Sequence, residues 1–227
     1  MTHLLLVRHG ESIQNTGQNI VLKYPDHYVY LTDKGKGQAK MAGEFLKRYL
    51  SDKVTDISKE CRMWISPYRR TRQTAERIND SLHIESVRED DMLIEMQFGL
   101  FDGISKDQVS ECFPLENANF RNTRKFNGKV FARRPGGESP LDVIIRQRIF
   151  LDTLFRDINA GTCPEYVIIV GHGAQLTCLR KAIFHYSHEW YENEPNPGNC
   201  SIQHIILDNK DNKDCGYIYG EPMTEHK

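Results

Sequence analysis

Five short apolar runs, at residues 4–7, 63–65, 92–94, 167–170 and 202–207, punctuate the 227-residue chain, and most of them run on without polar alternation. A strand apolar at every position is covered on both faces, as in a buried parallel sheet. Helical periods lie between the runs. Thr32 is placed to cap a helix that gathers Ala39, Ala42, Gly43, Leu46, Tyr49 and Leu50 on one face. Pro67 opens another, whose Thr71, Ala75, Ile78 and Leu82 recur at helical spacing. In Ser139-Pro140-Leu141-Asp142 the serine caps a third helix, with Pro140 in the first turn and Asp142 favourable to the helix dipole. Ile144, Ile145, Ile149, Leu154, Phe155 and Ile158 follow, and Leu176, Leu179, Ile183 and Tyr186 mark a fourth helix. Strands alternating with helices predict an α/β fold with a mostly parallel central sheet and helices on both faces. Nothing divides the pattern, so residues 1–227 are expected to form one domain. A loop-rich cap insertion is expected at about 104–138 and a polar carboxyl-terminal end from about 208.

Thirty Lys and Arg face 31 Asp and Glu, a formal net charge of −1. No global basic field exists to concentrate nucleic acid or an anionic membrane, so any anion recognition must be local. The six cysteines are widely spaced and form no C-x-x-C pair, which removes the zinc-ribbon and thioredoxin patterns and favours reduced thiols. His185 and His188 lack a partner at zinc-site spacing, and His3, His27, His83, His204 and His226 form no constellation, so no metal site is expected. Only four successive apolar residues precede Arg8, too few for a signal-peptide core or a membrane span. A cytoplasmic protein without a membrane partner is expected.

In open α/β sheets ligands bind beyond the carboxyl ends of the strands. The first run is followed by Arg8, His9 and Gly10, the second by Ser66, Pro67, Tyr68, Arg69 and Arg70. Glu95 follows the third, and Gly171, His172 and Gly173 the fourth. Two histidines, two or three arginines and a glutamate would meet at one sheet edge. That set suits phosphoryl transfer: guanidinium groups grip phosphate, an imidazole attacks phosphorus, and a carboxylic acid protonates the leaving oxygen. Nearby arginines would hold His9 neutral, and a backbone carbonyl is expected to fix its tautomer. Glu95 must carry a proton, which a bound phosphate dianion would favour.

Residues 5–12 with Asn15, Leu-Leu-Val-Arg-His-Gly-Glu-Ser-x-x-Asn, resemble the signature of the histidine phosphatase, or phosphoglycerate mutase-like, superfamily. Further blocks follow in family order. They are Leu31-Thr32-x-x-Gly35-x-x-Gln38-Ala39, Ser66-Pro67-Tyr68-x-Arg70-x-x-Gln73-Thr74-Ala75, Glu95-x-x-Phe98-Gly99-x-x-x-Gly103, Gly136-Gly137-Glu138-Ser139 and Val170-Gly171-His172-Gly173. The resemblance implies a three-layer α/β/α sandwich and a phosphomonoesterase of the histidine acid phosphatase type that works without a metal or other cofactor. It implies His9 as the phosphorylated nucleophile and Glu95 as the proton donor. Arg8, Arg70, His172 and Gly173 would complete the phosphate pocket, with Asn15 assisting. Asn196-Pro197-Gly198-Asn199 resembles a late family segment in which an asparagine lies near the site.

Cofactor-dependent mutases of this superfamily carry Arg-His-Tyr-Gly after the acid; here the positions hold Met96, Gln97, Phe98 and Gly99. Losing that basic pair favours hydrolysis of a small-molecule phosphomonoester. The alternatives are a phosphoglycerate mutase-type phosphotransferase and a catalytically idle phospho-ligand binder. Residues 113–137 interleave Phe113, Phe120, Phe126 and Phe131 with Arg121, Arg124, Lys125, Lys129, Arg133 and Arg134. A cap over the active site is preferred to a solvated loop, and either to a nucleic-acid surface. Trp190 and Tyr191 are read as packing residues in preference to a pocket mouth. Oligomeric state is not legible.

Overall fold

The alternation of side chains along β1 (Thr2–Arg8) explains why its apolar run is unbroken: Leu4 and Leu6 enter one core, Leu5 and Val7 the other. The computed structural model describes residues 1–16, 25–208 and 210–223. In chain order, β1 leads to α1 (Asp33–Ser51), the single turn α2 (Ile57–Glu60), β2 (Cys61–Ile65), α3 (Arg69–Leu82) and β3 (Ser86–Glu89). Then come α4 (Lys106–Cys112), α5 (Pro114–Asn127), α6 (Pro140–Asn159), β4 (Tyr166–Gly171), α7 (Gly173–Phe184), α8 (His188–Asn193), β5 (Ile202–Leu207) and β6 (Lys213–Tyr219).

The six strands form one sheet in the order β3-β2-β4-β1-β5-β6. Pairing is parallel from β3 through β1 and antiparallel at β1–β5 and β5–β6. Helices α1 and α3 cover the face bearing Leu5, Val7, Met63 and Ile168; α6 and α7 cover the face bearing Leu4, Leu6, Val167 and Ile169. The fold is therefore a mixed α/β sandwich of three layers. Register aligns Arg8 with Gly171 and Ile65 with Val170, so the chain leaves β1, β2 and β4 at one edge.

Helix starts follow local chemistry. The Thr32 hydroxyl accepts from the Gly35 N–H at the start of α1. At α6, Ser139 and Asp142 form a reciprocal capping box with Pro140 in the first turn.

The structure corrects four expectations. Residues 92–94 are not a strand: Asp91–Leu93 is a 3-10 turn, the Asp90 carboxylate accepting from the Met92 N–H, and the edge position belongs to the polar, mostly exposed β3. The helix expected to open at Pro67 starts at Arg69, after Tyr68. On α6 the buried stripe is Val143, Ile144, Gln147, Phe150, Leu151 and Leu154, while Ile145, Ile149 and Phe155 face outward. The insertion, expected to be loop-rich, is helical, since α4 and α5 occupy most of it. The end from about 208 carries β6. His226 and the last residues of that end lie outside the described residues.

All six cysteines are free, with Cys61, Cys178 and Cys200 buried. No helix among the described residues is long and apolar enough to cross a membrane.

Candidate active site

At the end of β1 the backbone is held from three elements. His9 N–H donates to Gly171 O at 3.0 Å, Asn199 Nδ2 donates to His9 O at 3.0 Å, and Gly10 N–H donates to Thr74 Oγ1 of α3 at 3.1 Å. Glycine is required here by contact: a Cβ on Gly10 would lie 2.4 Å from Gly35 O, and one on Gly35 would lie 2.0 Å from Glu11 O. The first turn of α1 is thereby seated against the Arg8-His9-Gly10 segment.

His9 is buried and its Nδ1 lies 2.7 Å from Gly10 O. A carbonyl only accepts, so Nδ1 carries the hydrogen and Nε2 presents its lone pair. Burial, reinforced by the Arg70 and Arg8 charges, lowers the His9 pKa well below the ordinary histidine value. His172 ends the β4 connection, its Nε2 2.8 Å from Ser66 Oγ beyond β2, with its ring 5.2 Å from that of His9. Its pKa falls well below the ordinary value for the same first reason, burial, with Arg70 next.

Arg8 reaches across the edge and donates to Pro197 O at 2.7 Å. Arg70, in the first turn of α3 and 2% exposed, is held end-on by Asp26. Its Nη1 donates to the Asp26 backbone and carboxylate oxygens at 2.8 Å each, and its Nη2 to the other carboxylate oxygen at 3.3 Å. Arg8 Nε, Arg70 Nε and His172 Nδ1 are buried and have no hydrogen-bond partner among the described residues. Buried nitrogens of this kind are rarely left unpaired, and these three belong to residues gathered near His9, whose pKa both arginines lower and whose ring lies 5.2 Å from that of His172.

Glu95 follows the 3-10 turn, and its carboxylate lies at the amino end of α7. Oε1 accepts from the N–H groups of Met96 at 2.8 Å and Gln175 at 3.0 Å; Oε2 accepts from Ala174 at 3.3 Å. These contacts and the two arginines favour the anion, yet burial outweighs them and the Glu95 pKa is raised. Burial alone thus moves Glu95 toward the protonated form, without the phosphate dianion invoked from sequence. The loop is locked from behind by the glycine-rich motif. A Cβ on Gly99, at φ +59°, would meet Pro135 O at 2.2 Å, and Glu138 accepts the Gln97 N–H at 2.9 Å.

The structure therefore brings Arg8, His9, Arg70, Glu95 and His172 to one edge. Gly173 lies beside them, its position for a Cβ 3.6 Å from Arg8 Nε. Asn15 is set further out: it is exposed, its Oδ1 accepts from Ser12 N–H and Oγ at 3.0 Å, and among the described residues it reaches the centre through Asn199 at 3.4 Å. Asp26 and Ser66 carry no role that sequence assigns. Ser66 is visible there as a strand-end residue; nothing in Pro25-Asp26-His27 marks Asp26. Tyr191 and Trp190 pack inward, the first with its hydroxyl 3.7 Å from Cys178 Sγ, the second stacked on Tyr186 at 4.3 Å.

The family model for the histidine phosphatase superfamily (branch 1) matches residues 4–213. The chain belongs to the histidine phosphatase superfamily. It is 34% identical over 216 residues to the phosphoglycerate mutase-like protein AT74 of Arabidopsis thaliana, an alignment covering 90% of this chain and 64% of that protein. The chain thus spans just under two thirds of that relative's length. Phosphoserine phosphatase 1 of Hydrogenobacter thermophilus is 30% identical over 184 residues, covering 81% of this chain and 76% of the enzyme. Among solved structures, a mycobacterial glucosyl-3-phosphoglycerate phosphatase complexed with VO3 superposes with a TM-score of 0.73 at 22% identity, covering 97% of this chain and all of that one. At that identity the likeness concerns the fold.

Proposed function

We propose that this histidine phosphatase superfamily member hydrolyses a small organic phosphomonoester through a phosphohistidine intermediate on His9. The observation that carries the reading is the set of three buried, unpartnered nitrogens on Arg8, Arg70 and His172, gathered at the same sheet edge as a neutral imidazole whose Nδ1 is committed to Gly10 O. A phosphate dianion satisfies all three donors and is gripped along the Nε–Nη2 side of Arg70 that Asp26 leaves open. The guanidinium charges stabilise the equatorial oxygens as they gain charge in the transition state, which is how phosphoryl transfer is chiefly accelerated.

His9 Nε2 attacks phosphorus as the bond to the ester oxygen breaks, and Glu95 gives that oxygen its proton, releasing an alcohol. Water then attacks the phosphorus of phosphohistidine and gives its proton to the Glu95 carboxylate, restoring His9 and releasing inorganic phosphate. Hydrolysis is favoured over mutase chemistry because the positions after the acid are uncharged: Met96 is buried, and the Gln97 amide is spent on Tyr68 Oη at 2.7 Å. Exposed free thiols at Cys112 and Cys215 fit a reducing cytoplasm. The test is turnover of a panel of phosphomonoesters by wild type and His9→Ala. Hydrolysis lost in the variant supports the enzyme; phosphate binding with no His9-dependent turnover on any ester supports a phospho-ligand binder.

A further inference from the structure

A half-open cavity of about 450 Å³ lies between the helical insertion and the loop that follows Glu95, walled by Phe98, Phe101 and Phe120 and rimmed by Arg121, Arg124 and Arg134. Its volume lies in the range of sites that enclose a whole organic ligand, which is more than a three-carbon phosphate ester fills. No acidic residue lines it. Phe98 belongs to the same loop as Glu95, and Arg134 is close enough to Glu95 to feel its charge, so one wall of the cavity is built beside the acid. Arg134 stands between the two. Its guanidinium lies 4.2 Å over the Phe98 ring and 5.6 Å from that of Phe120, and its Nη1 is 3.3 Å from the sulfur of Met96, the residue after Glu95. Among the described residues Arg121, Arg124 and Arg134 form no ion pair, whereas neighbouring Arg133 is paired with Asp142.

We infer that this cavity is the leaving-group subsite and takes an aromatic or branched apolar body bearing a second anion, a carboxylate or a further phosphate, held by Arg134. The inference rests on the phosphatase reading above. The ring of the substrate lies against Phe98 and Phe120, and its second anion completes the guanidinium that these rings already fix in place. A cation stacked between two aromatic faces is pre-organised, so little side-chain freedom is lost when the anion arrives. A polyanion without an apolar body meets aromatic walls, and an apolar ester without the second anion leaves Arg134 unmatched.

The experiment compares kcat/KM for phenyl phosphate, 4-carboxyphenyl phosphate and a carboxylated naphthyl phosphate, using wild type, Arg134→Gln, Arg134→Lys and Phe120→Ala. In wild type the carboxylated naphthyl ester is preferred over phenyl phosphate. Arg134→Gln lowers that preference by roughly tenfold to a hundredfold, the range for losing a hydrogen bond to a charged group, and Arg134→Lys restores part of it. Phe120→Ala reduces the advantage of naphthyl over phenyl while keeping that of the carboxylate. Equal kcat/KM values for all three esters in wild type, or a preference unmoved by Arg134→Gln, overturn the subsite. Absence of His9-dependent turnover on every ester overturns the phosphatase reading instead, so the two failures are distinguishable.

Discussion

Replacing Glu95 by glutamine removes a proton while keeping the shape of the side chain. The Gln carbonyl oxygen can occupy the Oε1 position and keep the N–H groups of Met96 and Gln175, at 2.8 and 3.0 Å. Its amide then faces the Ala174 N–H, so only the longest of the three hydrogen bonds, at 3.3 Å, is broken. The stability cost should be about 1 kcal/mol, that of one ordinary hydrogen bond. The catalytic cost is larger, because an alkoxide cannot leave without a proton. General acid catalysis is worth roughly 10²–10⁴-fold. Measured as kcat/KM, which reports the steps through formation of phosphohistidine, Glu95→Gln should lose that factor on an alkyl phosphate and far less on p-nitrophenyl phosphate, whose anion leaves unaided. Affinity for inorganic phosphate should be kept where Glu95 is protonated, and should rise at pH above its raised pKa, where the wild-type carboxylate repels the anion and the amide does not. An alkyl phosphate turned over at the wild-type rate by the variant would refute the role of Glu95.

Asp26→Asn should lower the melting temperature, because an arginine 2% exposed loses its counter-charge, a loss on the order of 3 kcal/mol for a buried pair. Phosphate should then raise the melting temperature of the variant more than that of wild type; a smaller rise refutes the pairing argument. For alkyl esters the active form has His9 neutral and Glu95 protonated. The lowered His9 pKa keeps kcat/KM high into acid, and activity falls as pH rises through the raised Glu95 pKa. Glu95→Gln should lack that alkaline limb, and a limb that persists assigns it elsewhere. Gly10→Ala, whose new methyl would lie 2.4 Å from Gly35 O, should cost about 2–3 kcal/mol, measured by urea unfolding. An unshifted midpoint would show that the β1 end and α1 are not wedged together.

The central strands were legible because burial on both faces writes a continuous apolar run, as in 4–7 and 167–170. The same rule misled at 92–94. There Leu93 is buried and the Met92 carbonyl is held by Arg146 and Gln147 of α6, so an apolar triplet serves a turn packed on a helix. The true edge strand, Ser86–Glu89, carries no apolar signature because little covers it. Residues 114–127 hide a helix behind asparagines of low helix propensity and a sparse apolar pattern, held by Pro114 at its start and ended by Gly128 at φ +88°. The pocket itself was readable because strand ends in a parallel sheet converge, which brings together Arg8, Ser66 and His172 without any knowledge of side-chain contacts. Asp26 was not readable. Its place beside Arg70 depends on how the Asp26–Tyr28 turn sits against α3, which no local pattern specifies.

Rapid mixing of the enzyme with a phosphomonoester labelled in its phosphate, quenched in alkali and mapped by peptide, tests the mechanism most directly. Label on the peptide that contains His9, formed and discharged at rates consistent with turnover and missing in His9→Ala, is the expected result. Steady release of labelled phosphate with no label ever held on His9 would contradict the phosphohistidine mechanism.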